Sequence, residues 1–180
     1  MQAHNNNIEE FLGAPKTVFV VPVYQRNYDW QSENCKRLFQ DVIGIVNSGQ
    51  EHFLGTICFK VYSSHERSII DGQQRLTSIT LMLKAIYDYD LDEDNRAEIK
   101  DQYLYNKGRG IDSDFLKFKL HLNKRDDAVY HILLDSSKDK VDGKLTYGQK
   151  KSRIIILIIG MIFFLVRKYI SCRSSRQKYR

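Results

Sequence analysis

The chain has 180 residues, 28 of them Lys or Arg and 22 Asp or Glu, for a formal charge of +6 at pH 7. An apolar fraction of 42% and an aromatic fraction of 12% describe a chain that buries a core, which excludes global disorder, collagen-like repeats and a disulfide scaffold. The basic excess invites a nucleic-acid reading, but residues 151–180 hold eight basic residues and no acidic one, which leaves 20 basic and 22 acidic residues, a net of −2, in residues 1–150.

The length fits one domain, or one domain and a tail. The polar N-terminus, Met1 to Asn7, has no apolar core segment of the kind a signal peptide needs. Cys35, Cys58 and Cys172 are odd in number and far apart. Without a C-x-x-C they argue against a zinc site or a disulfide frame and for a reducing, cytoplasmic setting.

In chain order, residues 18–23 read as a short strand ending near Pro22. Ser32 reads as an N-cap, and Cys35, Leu38, Phe39, Val42, Ile43 and Val46 then follow the stripe of an amphipathic helix, closed by Asn47-Ser48-Gly49. Residues 53–62 alternate, with Phe53, Gly55, Ile57, Phe59 and Val61 on one face, and predict a strand. Ser63 to Glu66 predicts a hairpin loop and Arg67 to Ile70 a second strand. A helix follows in which Leu76, Ile79, Leu83 and Ile86 recur every three or four residues, with Met82 and Tyr87 beside them. Asp88 to Asp94 carries five acids in seven residues, but no D-x-D-x-D-G spacing marks a calcium loop, so a solvated helix end or loop is expected. Residues 116–122 alternate strictly, Leu116, Phe118, Leu120 and Leu122 against Lys117, Lys119 and His121, and predict a half-solvated strand. Asp126 to Leu134 predicts a short helix.

Two clusters carry chemistry. Strand, then Asp71-Gly72-Gln73-Gln74-Arg75, then helix places a flexible turn at a helix N-terminus. There freed N–H groups and the helix dipole favour an anion. Arg75 can fork onto a phosphate, while Asp71 can cap the helix, hold a metal ion or orient a water. The plain alternative makes Asp71 a cap, Gly72 a turn and Arg75 a surface cation. The second cluster, Tyr24 to Trp30, sets two tyrosines, the only Trp and Arg26 between a strand and a helix. Such a set can stack a base and clamp a phosphate, or place Tyr28 and Trp30 as core plugs.

The segments VPVYQRNYDW, HFLGTICF and IIDGQQRLTSITLMLKAI, in this order, resemble the N-terminal domain of the GmrSD-type restriction endonucleases, within the ParB-like and sulfiredoxin-like group of folds. KFKLHLNKRDDAVYHILL resembles the family's following segment, and the likeness covers roughly residues 8–153. It implies an α+β, ParB-like nucleotide-binding domain, a small mixed sheet with packed helices. It implies binding and hydrolysis of nucleoside triphosphates with Mg²⁺, in systems that cut modified foreign DNA, chiefly phage DNA. Residue by residue it implies catalytic roles for Asp71, Gln74 and Arg75, with Asp71 as metal ligand. It implies nucleotide contacts from Tyr24, Gln25, Arg26, Gly55, Gly72, Gln73 and Thr77. Partners implied are a nucleoside triphosphate, modified DNA and a nuclease domain or subunit; an apolar face left without the family's further helices would favour self-association. Cys35 and Cys58 lie outside the DGQQR turn, which disfavours sulfiredoxin-type redox chemistry.

His4, His52, His65, His121 and His131 read as scattered, without an H-N-H grouping, so DNA cleavage by this chain alone is not expected. Residues 154–180 form a separate tail in this reading. The apolar run IIILIIGMIFFLV (154–166) is expected to be helical, and its 13 residues extend about 20 Å, short of a ~30 Å hydrocarbon core. It is open to three readings: an out-of-frame tail, a membrane anchor with a positive cytoplasmic flank, and a buried or partner-facing helix. Two functional alternatives stand beside hydrolysis: a non-hydrolytic ParB-like module that binds DNA or nucleotide, and a membrane-anchored interaction protein.

Overall fold

A computed structural model describes residues 7–89, 92–107 and 113–135. The apolar run at 154–166 and the rest of the tail lie outside the described residues, within which no helix is long and apolar enough to cross a membrane. The elements are α1 (Ile8–Gly13), β1 (Val18–Val20), α2 (Ser32–Ser48), β2 (Cys58–Val61), β3 (Glu66–Asp71), α3 (Gln73–Tyr89), α4 (Glu93–Ile99), α5 (Asp114–Lys117), β4 (Leu120–His121) and α6 (Lys124–Asp135). A π-helical turn, Lys100–Leu104, prolongs α4.

The expected small mixed sheet is present. Its order is β2-β3-β1-β4. β1 is parallel to both β3 and β4, while β2 and β3 form an antiparallel hairpin. Phe19, Ile69 and Leu120, one from each parallel strand, are fully buried with Leu76 of α3, and Tyr130 of α6 is 1% exposed. The hairpin turns where expected: the Ser63 hydroxyl accepts from the N–H groups of His65 and Glu66, at 3.3 and 3.0 Å.

α2 closes as its sequence predicts. Gly49 adopts φ +66°, and its N–H reaches the Ile45 carbonyl at 2.8 Å. Its start differs by one residue: Gln31 is the cap and Ser32 the first helical residue. α3 is buried nearly all round rather than along one stripe, with Leu76, Thr77, Ser78, Ile79, Thr80, Leu81, Met82, Lys84 and Ala85 all buried. It tolerates hydroxyls there because Thr77, Ser78 and Thr80 return their O–H groups to the carbonyls of Gln73, Gln74 and Leu76 one turn back.

Two predicted strands shrink. Of residues 53–62 only Cys58–Val61 pairs with β3. Before it the chain bends at Gly55, where φ is +94°, and Phe53 is 79% exposed. Of residues 116–122, Asp114–Lys117 form a helical turn capped by the Ser113 hydroxyl, and only Leu120–His121 is strand. Lys119, expected on a solvated face, is buried and donates to the Ala14 carbonyl at 2.6 Å, because the loop after α1 covers that side. Burial lowers its pKa to about 8.

Candidate functional site

Three parallel strands end on one side of the sheet. Val21 follows β1, Gly72 and Gln73 follow β3, and Leu122 and Asn123 follow β4. In parallel sheets the crevice beyond the carboxyl ends is the usual ligand position, above all where neighbouring strands lead off to opposite sides. Here β1, flanked by β3 and β4, lies in the middle of those ends. A narrow cleft opens there, lined by Val21, Arg26, Tyr28, Gln73, Gln74, Thr77, Leu122, Asn123 and Asp126. Its free volume of about 10 Å³ has room for about one water molecule.

The DGQQR turn is shaped by Gly72. Its φ is +89°, and a Cβ there would lie 3.0 Å from Ile57 Cγ1 and 3.1 Å from the Thr56 carbonyl oxygen. Backbone conformation and the packing of residues 56–57 therefore both demand glycine. Asp71 is the last residue of β3, opposite Cys58, and α3 begins at Gln73. Asp71 therefore stands one residue too early to cap the helix, which removes one of the roles the sequence left open to it. Its side chain is exposed and has no hydrogen bond or ion pair among the described residues. The N–H groups of the first turn of α3 have no intrahelical acceptors and face the crevice end of the sheet.

Gln73 and Gln74 hold the Tyr24–Trp30 segment. Gln74 accepts the Asp29 N–H at 2.9 Å and donates to the Asn27 carbonyl at 3.1 Å. Gln73 donates to the Arg26 carbonyl at 3.2 Å. From the other side, Gln25 donates to the Ile70 carbonyl at 2.9 Å. Arg75 turns the opposite way and donates through Nη1 to the Leu54 carbonyl at 3.0 Å. A Cβ on Gly55 would stand 1.8 Å from that nitrogen. The F-L-G element is thus the bed on which the guanidinium lies. One donor of five is engaged there, and among the described residues the rest of the fork meets no acceptor.

Among the expected site residues, Arg26, Gln73, Gln74 and Thr77 line the cleft. Gln25 and Gly72 stand behind it. Gly55 and Arg75 form an adjoining corner, and Asp71 and the 77% exposed Tyr24 lie on the open surface. Thr77 is buried, and its hydroxyl donates to the Gln73 carbonyl at 2.8 Å.

Five cleft residues were not among the expected site residues: the apolar Val21 and Leu122, and the polar Tyr28, Asn123 and Asp126. Tyr28, open in the sequence to base stacking or core filling, is buried, and its hydroxyl lies 2.7 Å from Ser78 Oγ. Its N–H donates to Asp126 Oδ2 at 2.7 Å. Burial, with Cys35 beside it, pushes the phenol pKa well up, so the ring stays neutral. Asn123 and Asp126 come from the N-terminal turn of α6, where the Asp126 and Asp127 N–H groups donate to the Asn123 carbonyl. The run N-K-R-D-D at the head of a predicted helix was the available signal. Trp30 packs partly buried against the core. Cys35 is buried and Cys58 half-buried. Two of the five histidines, read as scattered, meet after all: His121 and His131 both approach Asp127.

A family model described as the GmrSD restriction endonuclease, N-terminal domain, matches residues 8–173. The match runs past residue 153, where the sequence reading ends the domain. No curated protein matches the chain.

Proposed function

The chain belongs to the GmrSD restriction endonuclease N-terminal domain family, a restriction-system component, and from that premise we propose that it binds and hydrolyses a nucleoside triphosphate at the DGQQR turn. The observation that carries the reading is one of placement. A helix N-terminus with a glycine turn, flanked by Arg26 and Arg75, lies at the carboxyl ends of three parallel strands.

The cleft is too small to take in a nucleotide whole, so only the phosphate end meets its mouth. The first-turn N–H groups of α3 and the free part of the Arg75 fork receive phosphate oxygens, and Arg26 closes the other side. Tyr24, exposed beside them, offers its ring face to the base. Asp71 orients the attacking water, whose oxygen ends on the released phosphate while the β-phosphate leaves. Asp71 is also an exposed carboxylate with free oxygens, which fits the one-carboxylate-plus-phosphate manner in which Mg²⁺ is held. Bound there, Mg²⁺ would supply charge neutralisation of the phosphates. Gln74, expected among the catalytic groups, has both ends of its amide engaged by the loop and acts through it as a positioning residue. The complete system would couple this turnover to cutting modified DNA through a nuclease domain or subunit.

The full chain, given a panel of nucleoside triphosphates with Mg²⁺, is expected to release inorganic phosphate. Binding of a triphosphate without phosphate release would favour the non-hydrolytic module. Neither binding nor release would remove both readings.

A further inference from the structure

β4 and α6 bring together three groups that the proposed hydrolysis does not use. His121 on β4, Asp127 on the first turn of α6 and His131 one turn further each offer one ligand atom, and these atoms lie within 4.8 Å of one another. Asp127 and His131 share a helix face by their i, i+4 spacing.

Their donors and acceptors do not balance as neutral groups. His121 Nε2 lies 2.9 Å from the Phe115 carbonyl oxygen. That oxygen only accepts, so Nε2 carries the ring proton. Nδ1 then turns its lone pair toward Asp127 Oδ2 at 3.4 Å. His131 Nε2 faces Asp127 Oδ1 and the Leu120 carbonyl oxygen, both at 3.4 Å and both acceptors. Asp127 Oδ1 already takes the Leu122 N–H at 2.7 Å. Two imidazoles and a carboxylate therefore converge on a space that calls for a cation.

One nitrogen of each imidazole stands 3.4 Å from an Asp127 oxygen, a separation closer to that of two metal ligands than to a charge-assisted hydrogen bond. With all three ligand atoms within 4.8 Å, the side chains close in on an ion by small rotations. Charge-assisted hydrogen bonds run to about 2.7–2.9 Å. Ligand bonds of about 2.0–2.1 Å in a tetrahedron place ligand atoms roughly 3.3 Å apart. The Phe115 carbonyl on His121 Nε2 is also the outer contact that metal-binding imidazoles make. Phe115 stacks on His121 at 4.7 Å and Phe118 on His131 at 3.9 Å, with ring planes within 16° and 11° of parallel. Each imidazole thus lies flat against one aromatic face. The three side chains keep 12–26% exposure, which leaves an ion a way in.

We propose that His121 Nδ1, His131 Nε2 and the Asp127 carboxylate form a site for a divalent transition metal of the Zn²⁺ class, with a fourth position open to water or a ligand oxygen. Two imidazoles and one carboxylate select Zn²⁺ or Co²⁺ over the oxygen-seeking Mg²⁺, so this site is separate from Asp71. His121 leads directly into Leu122 and Asn123, and Asp127 follows Asp126. A bound ion ties α6 to β4 and fixes the residues those elements give to the cleft. The site stands whether or not the chain hydrolyses a nucleotide.

The metal-stripped full chain titrated with Co²⁺ is expected to develop the strong visible bands of a tetrahedral site, saturating at one ion per chain and bleached by Zn²⁺. Zn²⁺, and not Mg²⁺, should raise the unfolding temperature. The double variant His121→Ala, His131→Ala should lose both responses. X-ray absorption of the Zn²⁺-loaded wild type reads the ligands without any substitution and should show nitrogen and oxygen only. Absence of the Co²⁺ bands, their survival in the double variant, or a sulfur shell from Cys35, Cys58 or Cys172 would overturn the site.

Discussion

Gln74 ties the DGQQR turn to a loop 45–47 positions upstream through both ends of one amide. Its loss removes a partner from a backbone N–H and from a backbone carbonyl at part-buried positions, each worth about 1 kcal/mol, the low end of the range for buried groups. Gln74→Leu is expected to lower the unfolding free energy by about 2 kcal/mol in urea and to raise the nucleotide concentration needed for half-maximal turnover. Gly55 is constrained twice, by φ +94° and by the guanidinium upon it. In Gly55→Ala the Arg75 side chain must leave the Leu54 carbonyl. Turnover is expected to fall at least tenfold, with a loss of stability exceeding about 1 kcal/mol. Lys119 tests burial through pH. Its folded pKa of about 8 lies below the ordinary lysine value, so between the two the unfolded chain holds more protons and stability rises with pH. Measured against Lys119→Met, the wild type should gain up to about 1 kcal/mol per pH unit between pH 8 and 10. A flat difference across that window would show that Lys119 holds its proton as firmly folded as unfolded.

At the scale of elements, α6 matters to the cleft more than its position suggests. Asp126 accepts the Tyr28 N–H across 98 positions and Asp127 the Leu122 N–H, so the helix start fastens both the Tyr24–Trp30 loop and the end of β4. Asp126→Ala should destabilise by about 2 kcal/mol and increase hydrogen exchange at residues 24–30, with little change in α2. What the sequence made legible follows from how local each cause is. The stripe and C-terminal glycine of α2 are local, as is the glycine turn before α3, and both stand where expected. Strand lengths at 53–62 and 116–122 were overread, because alternation marks which residues are buried but not which find a partner strand. Lys119 lies on the polar side of that alternation, yet the loop after α1 covers it. α1, only six residues long and begun by the Asn7 cap, has too few residues to show a period. The contributions of Asn123 and Asp126 rest on contacts across the whole chain, which no local pattern announces.

Over the described residues, a four-stranded mixed sheet carries the DGQQR turn at one end of its parallel strands, and the basic excess of residues 151–180 lies outside them. The site rests on local geometry: a turn at Gly72, a guanidinium seated on Gly55, and a carboxylate at Asp71 without a partner among the described residues. The proposed turnover therefore depends on two side chains, Asp71 and Arg75, flanking one turn. The most direct test is phosphate release by the purified full chain with Mg²⁺, compared with Asp71→Ala and Arg75→Ala, each verified as folded by its unfolding curve. Turnover in the wild type, abolished in both variants, is the predicted result. Undiminished turnover in both folded variants would contradict the account, since the chemistry would then lie elsewhere in the chain.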